Sequence, residues 1–264
     1  MKKNSQFLDV LDTKNRFSDK VENYVKYRPH YPKELIEFMQ QKGLIKKGYK
    51  IGDIGAGTGK FTELLLQYGY SVIAVEPNGP MLEACKKIYG HYNDLTCLNG
   101  SSEHTKLSDI SVDLITTAQA FHWFKMDETK KEWMRILKPD RYVALIWNSR
   151  IKGKNASSFQ KEYENLVTKF GKGYTRMQKN FQVQEKINIL FEKNGYKEFH
   201  TPYSQTFDFE ELKGRLLSSS YTPQPEDEIY PEMIAALKDL FDKHQIEDQI
   251  QIDYDTELSY GKLD

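Results

Sequence analysis

Lys50-Ile51-Gly52-Asp53-Ile54-Gly55-Ala56-Gly57-Thr58-Gly59-Lys60-Phe61 is the stretch on which the reading of this chain turns. Ile51 and Ile54 suit a buried strand, and Phe61, Leu64, Leu65 and Leu66 then recur at helical spacing. Between them, Gly55, Gly57 and Gly59 let the backbone turn sharply and leave no side chain between it and a ligand. A helix opening from such a turn points its unpaired N–H groups at a carboxylate or phosphate. The run Ser71-Val72-Ile73-Ala74-Val75 is apolar and β-branched, as suits a strand covered on both faces, and it ends in Glu76-Pro77. Ligands of open α/β sheets sit beyond the carboxyl ends of the strands, where a carboxylate can accept both hydroxyls of a ribose. The bare alternatives are a tight turn without ligand and an acid that merely begins a loop.

Two ligand classes use a glycine turn of this kind. A dinucleotide fold carries G-x-G-x-x-G, but Lys60 stands in the third glycine position here. G-x-G-x-G preceded by Asp53 resembles instead the first motif of the class I S-adenosylmethionine-dependent methyltransferases. That resemblance implies cofactor contacts from Asp53, Gly55, Ala56, Gly57, Thr58, Gly59, Glu76 and Pro77. The continuation Glu76-Pro77-Asn78-Gly79-Pro80-Met81-Leu82 is similar too, with Met81 where the family packs a residue near the adenine. After a third strand, Leu95-Thr96-Cys97-Leu98, comes Asn99-Gly100-Ser101-Ser102-Glu103, where such enzymes often carry Gly-Asp-Ala-Glu. Ser101 stands in place of the adenine-binding aspartate; its hydroxyl accepts without charge, which gives the backbone of Ser102 and Glu103 a share in reading the base.

Two further motifs narrow the resemblance. Tyr24-Val25-Lys26-Tyr27-Arg28-Pro29-His30-Tyr31-Pro32 and Ala118-Gln119-Ala120-Phe121-His122-Trp123-Phe124 resemble segments of trans-aconitate methyltransferase-like proteins, a small-molecule subfamily. The first implies a cover over the cofactor, with Tyr24, Tyr27, Arg28 and Tyr31 facing the methionyl carboxylate or an acidic substrate; an aromatic clamp that holds the first helix to the domain reads equally well. The second follows a fourth strand, Ser111 to Thr117, and implies that Ala118, Gln119, Phe121, His122 and Trp123 line a pocket near the transferred methyl group. Aromatic faces attract a cation and exclude water. His122 is a candidate general base beside Gln119 and Arg28, or a packed histidine that positions a loop.

The chain has 264 residues, with 38 Lys and Arg balanced by 38 Asp and Glu and no basic block. Nucleic acid is therefore not an expected partner. Cys85 and Cys97 have neither metal-ligand spacing nor a disulfide framework, which fits a reducing cytoplasm. Met1-Lys2-Lys3-Asn4 is followed by no apolar stretch, and no run reaches membrane-spanning length. Oligomeric state is not legible.

The remainder is expected to be helix over Glu132–Asp140, a fifth strand over Tyr142–Trp147, helices over residues 157–170 and 184–194, and a strand over residues 199–209. Helices over 209–219 and 231–244 and a last strand over Ile250–Leu258 follow. The fold class is α/β: a Rossmann-like seven-stranded, mostly parallel sheet with its last strand antiparallel, an N-terminal cover and a C-terminal helical lid. The expected divisions are a cover at 1–47, a cofactor-binding core at 48–150 and a C-terminal part at 151–264. Lid helices at about 209–245 would carry Arg215, Ser219, Ser220 and Tyr221 over the acceptor, or buttress one sheet edge instead. The function implied is S-adenosylmethionine-dependent methyl transfer to a small molecule, with a carboxylic acid first in line. An NAD-dependent oxidoreductase and a non-catalytic S-adenosylmethionine-binding protein are the alternatives.

Overall fold

The structure is a computed structural model that describes residues 21–174 and 183–263; the first twenty residues of the expected cover lie outside the described residues. The glycine-rich stretch forms β1 (Lys50–Ile54), a turn, and α3 (Lys60–Gln67). Ahead of it stand α1 (Val21–Tyr27) and α2 (Lys33–Gln41); Pro32 is at the N-cap of α2 rather than within its first turn. The chain continues through β2 (Ser71–Val75), α4 (Gly79–Tyr89), β3 (Leu95–Leu98), β4 (Val112–Ala118) and a 3-10 turn at Phe121–Trp123. Then come α5 (Met126–Ile136), β5 (Leu137–Arg150), α6 (Ser158–Phe170), α7 (Val183–Leu190), β6 (Lys197–Phe207), α8 (Phe209–Leu217), α9 (Tyr230–His244) and β7 (Ile250–Lys262).

The seven strands form one sheet in the order β3-β2-β1-β4-β5-β7-β6. Pairings among β3, β2, β1, β4 and β5 are parallel, and β7 runs antiparallel to both its neighbours. Because β1 has β2 on one side and β4 on the other, the chain reverses its direction of travel across the sheet there, and a crevice opens beyond the strand ends. Side-chain alternation divides the strands between two cores. Ile51, Val72, Leu114, Ala144 and Ile146 pack with α2, α3 and α4 residues such as Leu35, Leu65 and Cys85. Ile54, Val75, Ile115, Val143 and Leu145 pack on the other face with Trp133, Ile136 and Leu190. A third cluster, including Tyr163, Val167, Leu212, Leu237, Phe241 and Tyr254, joins α6, α8 and α9 to β7.

Two expectations are corrected. The helix expected over Glu132–Asp140 ends at Ile136, and Leu137 pairs with Val112 as the start of β5. Pro139 lacks the N–H that a continuing helix needs, and Asp140 has φ of 60°. The expected edge segments also shift: β6 begins at Lys197 and α7 ends at Leu190. Among the described residues, no helix is long and apolar enough to cross a membrane.

Candidate functional site

Beyond the carboxyl ends of β1, β2 and β4 lies a cleft of about 370 Å³. Its lining comes from α1 (Tyr24), the glycine turn (Gly55, Gly57), and the end of β2 with the start of α4 (Glu76, Pro77, Asn78, Met81). The loop after β3 (Ser101, Ser102, Glu103) and the segment after β4 (Ala118, Gln119, Ala120, Trp123, Phe124, Lys125) complete it.

The turn is cramped on its inner side. Gly55 and Ala56 donate their N–H groups to the Val75 carbonyl at 2.8 and 3.1 Å, and Gly55, at φ of 74°, lies where a Cβ would come within 2.6 Å of the Ala120 Cβ. Gly59, at φ of 87°, is the N-cap of α3, and a Cβ there would meet the Cys85 Sγ at 2.7 Å. Both positions therefore need glycine for conformation and for space. Ala56, Thr58 and Gly59 do not line the cleft; they shape the turn that does.

Asp53 also stands behind the turn. Its Oδ2 accepts from the Thr62 hydroxyl at 2.6 Å and its Oδ1 from the Thr116 hydroxyl at 3.0 Å. It thereby pins β1 to α3 and β4. Burial pushes its pKa up to about 6 despite those two bonds. Glu76 lines the cleft directly, with Oε2 accepting from Gly57 N–H at 2.9 Å and Oε1 from Asn78 N–H at 2.8 Å. Burial, with a small push from Asp53, overrides those amide bonds and raises its pKa to about 7. Asn78 caps α4 by accepting from Met81 N–H at 3.0 Å, which sets Met81 on the cleft wall.

Gln119 holds φ of 60°, a left-handed conformation uncommon for a residue with a Cβ. Its N–H donates to Ile146 O at 2.9 Å and its Nε2 to Asn148 O at 3.0 Å, so β5 locks this turn at the cleft. The residues that follow separate into two roles. Trp123 faces the cleft, whereas Phe121 is wholly buried among Phe124, Trp133 and Trp147. His122 is half-buried beside the Trp123 ring; burial and the Lys186 ammonium push its pKa down to about 3, so it stays neutral. Lys186 itself ties the segment down, donating to the His122 and Phe124 carbonyls at 2.7 and 2.8 Å.

Of the N-terminal motif, Tyr24 alone reaches the cleft. Tyr31 is buried edge-on against Phe61, and Tyr27 lies on Gly214 of α8. Arg28 places its guanidinium 4.9 Å from the centre of the Tyr24 ring and donates to the Ser218 carbonyl at 2.9 Å. Beyond it lies Arg215, whose Nε donates to the Tyr254 hydroxyl at 3.3 Å. Arg150 follows, donating to Glu164 at 2.8 Å with its guanidinium 5.1 Å from the Tyr163 ring centre. Burial lowers the pKa of Arg28, and Arg215 lowers it further. Burial pushes the Tyr221 phenol up, but Arg150, Arg215, a hydrogen bond with Ser219, and Arg28 together bring it below the usual value. The structure thus groups Arg28, Arg215 and Tyr221 behind Tyr24, one layer away from the cleft lining.

Asn78, Ala120, Phe124 and Lys125 line the cleft without having been singled out. Asn78 had a signal, an Asn ahead of Gly-Pro at the start of a helix. Ala120 and Phe124 lie inside the run Ala118–Phe124, and nothing in the sequence marks Lys125.

Residues 52–145 match the family model described as a methyltransferase domain. An uncharacterised methyltransferase-like protein of Schizosaccharomyces pombe is 31% identical over 255 residues, covering 94% of this chain and 95% of that one. An uncharacterised methyltransferase of Mycobacterium tuberculosis is 35% identical over 134 residues, 51% of this chain and 52% of its own length. Among solved structures, a putative type II methyltransferase from Anaeromyxobacter dehalogenans superposes with a TM-score of 0.63 at 17% identity, over 89% of this chain and 98% of that one. A Haemonchus contortus phosphoethanolamine N-methyltransferase with S-adenosylhomocysteine bound gives 0.53 at 14% identity, over 96% of this chain and 59% of that one. The sheet order, the glycine turn and these matches define one class, and the chain belongs to the class I S-adenosylmethionine-dependent methyltransferases. The dinucleotide and non-catalytic alternatives are set aside accordingly.

Proposed function

We propose that this enzyme methylates a small carboxylic acid. The observation that carries this reading is the pair of guanidiniums behind Tyr24: Arg28 donates to the Ser218 carbonyl at 2.9 Å and Arg215 to the adjoining Ser219 hydroxyl at 3.5 Å, and burial first, then Arg215, lowers the pKa of Arg28. Neither has a carboxylate partner among the described residues. Such charges are costly to bury unpaired, and an acid provides the missing partner.

The cleft suits the family's cofactor, because its glycine turn admits no side chain and Glu76 presents a buried carboxylate at its end. Bound S-adenosylmethionine supplies a methyl carbon already activated by the sulfonium charge. In our assignment Glu76 accepts from the ribose hydroxyls, Met81 packs the adenine, and Ser101, Ser102 and Glu103 read its edge. The turn from Gly55 to Gly59, backed by Asp53, holds the cofactor's amino-acid end with Tyr24 and Gln119. Trp123 would exclude water near the methyl group, and Arg28 and Arg215, set behind Tyr24, would hold the far anionic end of the acceptor. A carboxylate oxygen needs no deprotonation, which accords with a neutral His122 whose pKa near 3 makes it a poor base. His122, Phe121, Tyr27 and Tyr31 then support the site through packing.

The subfamily resemblance to trans-aconitate methyltransferase-like proteins points the same way. We also assign residues 1–47 as cover, 48–150 as core and 151–264 as the part that completes the sheet, with 209–245 over the acceptor. A reducing cytoplasm is the home most consistent with two free thiols. The test is transfer of labelled methyl from S-adenosylmethionine to a panel of small acids, amines and phenols. A base-labile methyl ester formed on acids is the expected outcome; transfer confined to amines or phenols overturns the acceptor assignment.

A further inference from the structure

Asn148, near the end of β5, holds two sides of the cleft at once. Its main-chain carbonyl accepts from the Gln119 Nε2 at 3.0 Å, and its side-chain Nδ2 donates to the His30 carbonyl at 2.8 Å. Its Oδ1 accepts at 2.6 Å from the hydroxyl of Thr256, its wholly buried pairing partner on β7. The His30 carbonyl can only accept, so it must meet the NH2 end of the amide, and the Thr256 hydroxyl then serves the oxygen.

The segment that Asn148 holds cannot fasten itself. His30 lies between Pro29 and Pro32, which have no N–H to place in a helix or a ladder, so side chains from other elements hold it. Arg28 ties the segment to α8 through the Ser218 carbonyl, and Asn148 ties it to β5. Lys60 and Glu63 of α3 meet the His30 ring at 3.0 and 3.2 Å. Tyr24, one helical turn before Arg28, lines the cleft, and the Arg28 N–H closes that turn on the Tyr24 carbonyl at 3.2 Å. The placing of Tyr24 therefore follows from how residues 28–30 are held.

We propose that Asn148 is a positioning residue for methyl transfer, which sets the Tyr24 wall of the cleft against the Gln119 turn. This rests on the assignment of Tyr24 and Gln119 to the cofactor's amino-acid end and is independent of the acceptor's chemistry. Asparagine suits the place because aspartate, of the same shape, keeps an oxygen for Thr256 but turns an acceptor toward the His30 carbonyl. Gln119 bonds to the main chain of Asn148, so exchanging the side chain leaves that wall in place and acts through Tyr24.

The experiment measures S-adenosylhomocysteine affinity by calorimetry for the native protein, Asn148→Asp, Tyr24→Ala and the double variant, beside limited trypsinolysis after Lys26. Asn148→Asp is expected to weaken binding about tenfold and to speed that cleavage. The double variant is expected to bind as Tyr24→Ala does, because the two changes act through one contact. A merely structural Asn148 would lower the unfolding midpoint and give losses that multiply in the double variant, which overturns the proposal. Asn148→Ala removes the donor without adding a charge and repeats the test should the Asp variant not fold, with a loss of about threefold expected. Native affinity in Asn148→Asp beside weakened binding in Tyr24→Ala overturns the role of Asn148 and leaves the assignment of Tyr24 standing. Native affinity in Tyr24→Ala overturns both.

Discussion

Glu76 shows how one buried residue couples cofactor binding to pH. Its carboxylate is the group on the cleft wall suited to two hydroxyl donors, yet burial lifts its pKa to about 7, so near neutrality a proton competes with the ligand. The affinity for S-adenosylhomocysteine is expected to be flat at higher pH and to weaken by up to about tenfold for each pH unit below 7. Glu76→Gln removes the charge-assisted bonds, which are worth roughly 1.5–3 kcal/mol together with the strain of an unmatched amide, and should weaken binding about 10- to 100-fold. It should also abolish that pH dependence. Calorimetric titration of both proteins across pH decides the matter, and an identical slope in the Gln variant would exclude Glu76 as its source. The identity of this residue was legible from the sequence, since a carboxylate closing an apolar run beyond a glycine turn has one obvious use. Its raised pKa was not, because that depends on how fully Asp53 and the turn enclose it. The arginine array hid for a related reason: Arg28 follows α1, Arg150 ends β5 and Arg215 lies on α8, and only the fold brings them together.

At the scale of elements, the parallel half of the sheet could be read because its central strands are short runs rich in apolar and β-branched residues, as burial on both faces requires. The start of β5 could not, since Leu137-Lys138-Pro139-Asp140 continues a helical pattern until the proline removes a donor. The relation of α1 to α8 was likewise invisible, although it positions the site. Tyr27 lies so close to Gly214 that a Cβ there would come within 2.0 Å of its ring. Gly214→Ala must therefore displace the ring or α1 itself, and with it Tyr24 on the cleft wall. Overpacking of this kind costs about 1–3 kcal/mol. Weaker S-adenosylhomocysteine binding and faster proteolysis near residues 21–28 are expected, with the sheet intact by circular dichroism. Adding Tyr27→Ala should relieve the clash and recover much of the folding stability; if the single change leaves both cofactor affinity and proteolysis untouched, α1 does not gate the site.

For the whole molecule, two opposing sets of carboxylates define how stability varies with pH. Asp53 and Glu76 have native pKa values of about 6 and about 7, above their ordinary 3.8 and 4.5, so between those limits the folded protein holds protons that the unfolded chain has released. Stability therefore falls as pH rises through that window, by roughly 3 kcal/mol for each group. Asp113 and Glu132 act the other way. Burial opposes ionisation of each, but Lys138 and Lys50 N–H on Asp113, and Arg135 and Thr105 on Glu132, outweigh it and hold both below the ordinary range. Their stabilisation is present above about pH 4 and is lost as pH falls further. The ligand-free enzyme is thus expected to be most stable near pH 4 and to lose stability from there toward pH 7, with Asp53→Asn flattening part of that slope. The cofactor product should compensate on the alkaline side, because it binds the ionised form of Glu76. At a concentration of about 100 times its dissociation constant it adds about 2.7 kcal/mol, a rise of roughly 5–10 °C in the unfolding midpoint for a domain of this size. The same concentration one pH unit below 7, where binding is weaker by up to tenfold, adds only about half as much energy. A midpoint rise that is equal at pH 6 and pH 8 would show that Glu76 is already ionised in the empty cleft, and that the buried proton proposed for it is absent.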